Sequence, residues 1–184
     1  MKNLFSKNNK ILSNEKPAPQ KIEKAKTILL ELQNEAAKKI EEGFGPFVAA
    51  IYDEKGNQLV VSANSVISEQ CSNCHAEMNA IKEVQQKLGT YNLSPHNLSL
   101  YVTSEPCIMC VGAILWSGIK HVYFGVPSSL VEAITGFDEG FKKNWMKEFK
   151  KRGITVYGNI ESKAGEAVLK NYVKEGKKVY KPQR

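Results

Sequence analysis

The sequence predicts a layered α/β domain, and three observations support this interpretation. Short apolar segments alternate with longer segments of helical hydrophobic period along most of the chain. The 184 residues are enough for one domain with short flanks. The composition, 42% hydrophobic and 24% charged, lies in the globular range. Because interleaved strands and helices pack in layers, we expect helices against a central sheet.

The first predicted elements are a long helix and a β-hairpin. Residues 1–19 are polar and lysine-rich, which is typical of a flexible tail. From Lys21 to Gly43, apolar residues recur at helical spacing and predict one amphipathic helix. Two apolar runs, 47–52 and 58–63, are joined by a polar turn that contains a glycine. This pattern predicts the hairpin.

The remainder of the chain alternates helices and strands. The predicted elements are a helix over 77–88, a strand over 98–103, a helix from Pro106, a strand over 121–124, a loop over 125–141, a helix over 142–152, a strand over 154–157 and a helix over 162–175. We therefore expect one folded domain over residues 20–176. A flexible N-terminal tail at 1–19 and a basic tail at 177–184 would flank it.

The net charge of +7 is distributed unevenly along the chain. Residues 1–26 carry +5 and residues 142–184 carry +9, whereas residues 27–141 carry −7. A polyanion such as tRNA would therefore have to be held by the ends, since the central segment repels it on average. Charge runs of this kind are also typical of a solvated surface.

The hydrophobic segments are too short to cross a membrane. The longest apolar runs, such as Val111 to Trp116, are far below the roughly 20 residues that span a bilayer. The first ten residues contain lysines but no continuous apolar stretch follows them, unlike a secretory signal. We therefore expect a cytoplasmic protein, in a reducing compartment where structural disulfides are rare.

One histidine and two cysteines form a candidate catalytic zinc site. Cys107 and Cys110 are three residues apart in a helix that Pro106 is suited to begin, so both sulfurs lie on one side of its first turn. Free N–H groups and the helix dipole favour thiolates at this position. Together with His75, the pair supplies three protein ligands and leaves a fourth position open for water.

Glu77 is a candidate proton carrier for this site. It follows His75 by two residues and lies on the apolar stripe of its predicted helix, where an unpaired carboxylate is costly to bury. A carboxylate near a metal site can move the protons that hydrolysis requires. A glutamate in a first helical turn is also ordinary helix chemistry, so this interpretation depends on the whole cluster.

A second interpretation of the cysteines is a structural zinc module. Cys71-x-x-Cys74 and Cys107-x-x-Cys110 would together form a closed four-cysteine site, which would make the protein a binding module. Thirty-two residues separate the pairs, against about 15 to 20 in the usual pattern, and Glu77 would have no role. The catalytic interpretation is therefore favoured, with Cys71 and Cys74 in the loop that enters the site.

The motif H-x-E followed by P-C-x-x-C resembles the signature of zinc-dependent nucleobase and nucleoside deaminases. The resemblance runs from about Ile22 to Tyr157 and is most similar to the guanine deaminase and tRNA adenosine deaminase branch. It is carried by Gly45-Pro46-Phe47, Asn64, His75-Ala76-Glu77, Glu105-Pro106-Cys107-x-Met109-Cys110 and Gly112-Ala113-Ile114, with Gly89-Thr90-Tyr91 and Gly136-Phe137-Asp138-Glu139 favouring guanine deaminase. It implies a three-layer α/β/α sandwich around a five-stranded mixed sheet, as in cytidine deaminases.

The resemblance also implies the residue roles. It assigns one Zn²⁺ per chain to His75, Cys107 and Cys110, and catalytic proton transfer to Glu77. The implied substrate contacts are Asn64, Ala76, Glu139 and Phe47. Asn64 is equally typical of a turn after a strand.

The substrate and the assembly are further expectations from the resemblance. A free nucleobase or nucleoside, most closely a purine of guanine type, is favoured over tRNA. Three departures leave the substrate open: Cys71-Ser72-Asn73-Cys74 replaces the usual Asp-Pro-Thr, Val48 replaces the glycine common after Gly-Pro-Phe, and Glu139 replaces an aspartate. The resemblance implies a homodimer. The last predicted helix, with Ala164, Val168 and Tyr172 on one stripe, would pack on a neighbour or on its own domain.

Overall fold

The structure is a computed structural model that describes residues 10–16 and 18–180. Its strands are β1 (Leu12–Ser13), β2 (Val48–Tyr52), β3 (Gln58–Ala63), β4 (Ser99–Ser104), β5 (His121–Val126) and β6 (Thr155–Gly158). Its α-helices are α1 (Pro19–Glu41), α2 (Val66–Glu69), α3 (Ala76–Leu88), α4 (Ile108–Ser117), α5 (Ser128–Thr135), α6 (Trp145–Lys151) and α7 (Ser162–Lys174). Within these ranges, no helix has both the length and the hydropathy that crossing a membrane requires.

The strands form one mixed sheet in the order β1-β6-β5-β4-β2-β3. β4, β5 and β6 are parallel to one another, whereas the other pairs are antiparallel, so the predicted mixed sheet is confirmed. Parallel strands end at the same edge, and there the N–H of Glu105 donates to the carbonyl oxygen of Val126 at 2.8 Å. The segments that follow β4 and β5 therefore meet outside the carboxyl ends of the strands, where α/β proteins commonly bind ligands.

The sheet has one strand more than the five predicted. β1 pairs antiparallel with β6 at the edge of the sheet. Asn14 extends this pairing, because its amide donates to the carbonyl oxygens of Met146 and Ile154 and its Oδ1 accepts from the N–H of Val156. A two-residue strand is too short to show a hydrophobic period, so the sequence pattern did not predict it. Part of the predicted flexible tail at 1–19 is therefore a strand of the sheet, whereas its residues 1–9 and 17, and residues 181–184 of the predicted C-terminal tail, lie outside the described ranges.

Helices cover both faces of the sheet. α1 and α7 pack on one face, where the buried stripe of α1 meets Tyr101 and Tyr123. α3 and α4 pack on the other face, where Leu100 and Val102 of β4 point. Because neighbouring strand residues point to opposite faces, this alternation separates the two cores. The predicted three-layer α/β/α arrangement is therefore confirmed.

Two helices differ from the sequence interpretation in an instructive way. α5 lies inside the predicted loop at 125–141; its apolar Val131 and Ile134 span a single turn, which is too short for a periodic signal. α5 is stabilised by packing against α7. α7 in turn packs on its own domain, with Leu169 and Tyr172 buried. Of the predicted stripe, Tyr172 is therefore used inside the domain, while Ala164 and Val168 are half-buried.

Candidate active site

Two helices that begin at the same edge of the sheet carry the candidate metal ligands. His75 is the N-cap residue of α3, Cys107 is the N-cap residue of α4, and Cys110 lies in the first turn of α4. β4 ends at Ser104, only three residues before Cys107, so the sheet fixes where this helix begins. The positive ends of both helix dipoles favour thiolates at this point.

The three ligand atoms lie at the distances that a zinc ion requires. Nδ1 of His75 is 3.5 Å from Sγ of Cys107 and 3.7 Å from Sγ of Cys110, and the two sulfurs are 3.5 Å apart. Tetrahedral coordination with Zn–S bonds of about 2.3 Å and Zn–N bonds of about 2.0 Å separates ligand atoms by about 3.5 to 3.8 Å. His75, Cys107 and Cys110 are therefore positioned to bind zinc.

The alternative four-cysteine site is not formed. Among the residues that the structure describes, the three ligands are the one group of at least three histidine, cysteine or acidic side chains close enough to share an ion. Cys71 and Cys74 lie outside this group. They flank a turn in which the N–H of Cys74 donates to the carbonyl oxygen of Cys71, and Cys71 lines the cavity described below.

The two thiols of the metal site ionise unequally. Contact with the Cys110 thiol, together with His75, lowers the pKa of Cys107 to about 4, although burial opposes this shift. The same thiol contact, burial and the nearby Glu77 carboxylate raise the pKa of Cys110 well above its usual range. In the metal-free protein the pair therefore holds one thiolate and one thiol. Metal binding releases the remaining proton.

Glu77 lies in the first turn of α3 and is buried, with 5% of its surface exposed. Burial raises the pKa of its carboxyl group, and the Cys107 thiolate raises it further, while His75 opposes both. The side chain lines the same cavity as His75 and Cys107. The structure thus brings this predicted residue together with the metal ligands.

A cavity of about 660 Å³ opens above the metal ligands. Its aromatic wall contains Phe47, Phe137 and Tyr180, with ring centroids 5.3 Å apart for Phe47 and Phe137 and 5.1 Å apart for Phe137 and Tyr180. Phe141 lines the mouth and is almost fully exposed. A flat, apolar wall of this kind suits an aromatic ring.

Asn64 is buried at the end of β3 and lines this cavity. Its Oδ1 accepts from the N–H of Val66 at 3.3 Å, and its Nδ2 donates to the hydroxyl of Tyr180 at 2.8 Å. Gly45 is needed beside it, because a Cβ atom there would lie 2.8 Å from Oδ1 of Asn64. Glycine at this position therefore gives the amide room to face the cavity.

Glu139 is the second acidic side chain of the cavity wall, with 7% of its surface exposed. Burial raises the pKa of its carboxyl group to about 8; Lys142 opposes this rise, and the charges of Cys107 and Glu77 add to it. Ala76, by contrast, is fully buried at the start of α3 and is absent from the residues that line the cavity.

Sequence analysis missed Tyr180. Its hydroxyl lies 3.3 Å from Nε2 of His75, on the side of the ring opposite the sulfurs. Burial raises the pKa of this phenol. Tyr180 and Lys178, which also lines the cavity, belong to the segment predicted as a basic tail. One aromatic residue among lysines has no periodicity, so only its isolation could have drawn attention to it.

Residues 20–126 match the family described as the cytidine and deoxycytidylate deaminase zinc-binding region. This range includes the three metal ligands, Glu77, Asn64 and Phe47. The match therefore covers the metal centre and one part of the cavity wall.

Similar proteins of known name or structure extend the comparison to most of the chain. A tRNA-specific adenosine deaminase of Bacillus subtilis is 33% identical over 84% of this chain and 91% of its own length. A solved guanine deaminase from Nitrosomonas europaea has a TM-score of 0.74 and 34% identity, over 88% of this chain and 87% of that chain. A solved structure of NE0047 with 2,6-diaminopurine has a TM-score of 0.80 and 30% identity, over 90% and 95% of the two chains.

Proposed function

Since this chain belongs to the cytidine and deoxycytidylate deaminase family, we propose that it is a zinc-dependent deaminase of a free purine of guanine type. The family and its relatives establish the reaction class, the hydrolytic deamination of a nucleobase or nucleoside, and the guanine and tRNA adenosine deaminase type. The proposal adds the substrate: a small purine base or its nucleoside, from which water releases ammonia.

The buried Glu139 carboxylate carries this proposal. It shares the cavity with Glu77 and the metal ligands. With a pKa of about 8 this group is ionised in part near neutral pH, and its ionised form only accepts hydrogen bonds. A guanine-type base presents a ring N–H beside its amino group, which gives two donors on one edge, whereas adenine has an acceptor nitrogen beside its amino group. Glu139 therefore favours the guanine-type edge.

Glu77 is proposed as the proton carrier of the reaction. It takes a proton from the water that attacks the amino-bearing carbon, gives a proton to the ring nitrogen, and then assists the departure of ammonia. Burial raises the pKa of its carboxyl group, which makes it a stronger base towards the attacking water than an exposed glutamate. When bound to His75, Cys107 and Cys110, zinc would supply Lewis-acid activation of water.

The remaining cavity residues are proposed to bind and orient the base. Asn64 offers an amide that is fixed by its bond to Tyr180. Phe47, Phe137 and Tyr180 together offer an aromatic wall on which the ring of the base would stack.

A substrate panel tests the proposal directly. Ammonia release is measured with zinc-loaded protein and guanine, guanosine, adenine, adenosine, cytosine and cytidine, with folded tRNA as a separate arm. We expect turnover of guanine or guanosine at a rate nearly independent of salt between about 50 and about 200 mM, because no phosphate contacts are needed. A panel without any purine turnover would contradict the proposal.

The alternative substrate is a tRNA adenosine, and one comparison supports it. The Bacillus subtilis tRNA-specific adenosine deaminase matches 84% of this chain. The basic C-terminal residues would then hold phosphates. This alternative predicts activity confined to folded tRNA and a steep fall in activity with salt.

We also infer a homodimer that uses α4. This helix is apolar but buries only Cys110, Ile114 and Ser117. On its other sides Trp116 is 87% exposed, while Ile108 and Leu115 are each 38% exposed. An apolar surface of this kind is typical of an interface between subunits. Light scattering should give twice the 20.5 kDa chain mass, and Trp116→Glu should give a monomer. A wild-type monomer would contradict this inference.

A further inference from the structure

Lys142 is a largely buried lysine that connects three segments around the cavity. Its side chain is 9% exposed, and its Nζ donates to the carbonyl oxygen of Pro106 and to Oγ of Ser128, each at 2.5 Å. The same Nζ lies 3.5 Å from Oε1 of Glu105 and 3.8 Å from Oε2 of Glu139. One ammonium group therefore touches the start of α4, the start of α5 and the cavity wall.

The two carboxylates beside Lys142 depend on it to different degrees. Glu105 has two further donors, since it accepts from Nε1 of Trp145 at 2.9 Å and from the N–H of Ser128 at 3.0 Å. For the Glu139 carboxylate, Lys142 is the one cation within 4.0 Å among the residues that the structure describes. Removing this charge would leave Glu139 buried without its counter-charge, which is strongly unfavourable.

We propose that Lys142 is a positioning residue that aims the Glu139 carboxyl group into the cavity, and so determines recognition of the amino-bearing edge of the purine. This inference rests on the proposed function, because it assigns a partner to the residue that carries that function. Lys142 itself acts through Glu139.

Steady-state kinetics of Lys142→Met test the proposal. The apolar side chain of similar length removes the charge and all four contacts. We expect KM for the purine to rise about tenfold, which is the usual contribution of a charge-assisted hydrogen bond to affinity. The change in kcat should be smaller, and bound zinc should be retained. Lys142→Arg keeps the charge and should restore KM to within about threefold. The matched control is Lys143→Met, at an exposed neighbouring position, which should leave both constants unchanged.

A double-mutant cycle with Glu139→Gln shows whether Lys142 acts through Glu139. Adding Lys142→Met to the Glu139→Gln variant should change KM less than about twofold, since the partner is already neutral. The same tenfold rise in both backgrounds would overturn the proposal, because Lys142 would then act only by fixing Pro106 and Ser128. If Lys142→Met does not fold, Lys142→Gln takes its place in the cycle, because it keeps a donor and removes only the charge.

A double-mutant cycle of melting temperatures tests the coupling between Lys142 and Glu139 without any substrate. Lys142→Met should lower the melting temperature by roughly 5 to 10 °C in the wild-type background and by less than half as much in Glu139→Gln. Equal shifts in the two backgrounds would overturn the coupling. A wild type that deaminates no purine on the panel, with the thermal coupling intact, would contradict the proposed substrate and leave the Lys142–Glu139 pairing standing.

Discussion

The two C-x-x-C pairs of this chain have the same spacing and different chemistry. Cys107 and Cys110 lie at the start of α4, within 3.7 Å of Nδ1 of His75. Cys71 and Cys74 flank a turn in the loop before α3, and Sγ of Cys71 contacts Oδ1 of Asn73. The sulfurs of the first pair contact the His75 imidazole, whereas those of Cys71 and Cys74 contact Asn73 and Glu69.

The surroundings of the sulfurs set their acidity in opposite directions. The pKa of Cys107 falls to about 4 through its contact with Cys110 and His75. The pKa of Cys74 rises to about 11 through its contact with Cys71, its partial burial and the Glu69 carboxylate. The pKa of Cys110 is also raised, so acidity in the metal-free protein does not by itself identify a ligand, and metal binding displaces the Cys110 proton. Neither spacing nor acidity identifies the ligand pair; the position of both sulfurs against His75 does.

Loss of zinc is the largest effect that we expect, and it tests whether the two cysteine pairs differ in metal binding. Cys107→Ala should reduce bound zinc from about one ion per chain to nearly none and abolish turnover, because a catalytic site needs all three protein ligands. The double variant Cys71→Ala with Cys74→Ala should keep about one zinc ion and most of the activity. Metal analysis of the purified variants measures both. Zinc loss from the second variant would mean that the loop pair takes part in metal binding.

A loss of turnover without loss of metal is the next largest effect, and it separates Glu77 from the ligands. Glu77→Gln keeps the shape of the side chain and removes its proton chemistry. We expect kcat to fall about 10³-fold with bound zinc unchanged, in line with the usual contribution of a general acid–base group. Stopped assays of ammonia release at matched zinc content give the ratio. A folded Glu77→Gln protein with a near-normal rate would refute this role.

Thiol alkylation in the metal-free protein sharpens the comparison through its dependence on pH. With a pKa of about 4, Cys107 is a thiolate throughout pH 5 to 10, so its labelling rate should stay nearly constant. With a pKa of about 11, Cys74 is protonated over this range, so its rate should rise about tenfold per pH unit. Mass spectrometry of iodoacetamide-treated peptides distinguishes the two sites. Parallel pH profiles would contradict the unequal ionisation.

The smallest expected effect concerns the second nitrogen of His75. Tyr180→Phe removes the hydroxyl that lies 3.3 Å from Nε2 and accepts from Asn64. We expect kcat/KM to fall about three- to tenfold, the usual weight of one or two hydrogen bonds, with zinc retained. Tyr91→Phe is the control, since Tyr91 is exposed on the surface. An unchanged kcat/KM would show that the orientation of His75 does not depend on this hydroxyl.

The metal site could be predicted from sequence because its geometry is mostly local. Two cysteines three residues apart on a helix have their sulfurs on one face whatever the rest of the chain does. Glu77 follows from the same local argument, since it is fixed relative to His75 by the first turn of α3. The resemblance to a deaminase signature then supplied the link between the two helices, which spacing cannot give.

The contacts of Tyr180 and Lys142 could not be predicted because they depend on tertiary packing. Tyr180 is 105 residues from His75 along the chain, and Lys142 is 36 residues from Pro106. Neither lies in a periodic segment that would indicate which way its side chain points. α5 was missed for a related reason, since one turn of apolar residues becomes a helix only when α7 packs against it.

One tryptophan of this chain is buried and the other is exposed, so their intrinsic fluorescence can be used to follow two different parts of the protein. Trp145 is buried and donates its indole N–H to Glu105, one contact away from Lys142. Trp116 is almost fully exposed on α4. Since emission shifts to longer wavelength when an indole meets water, the two rings should emit in different bands. The blue band would report packing beside the cavity, and the red band would report whether α4 is covered.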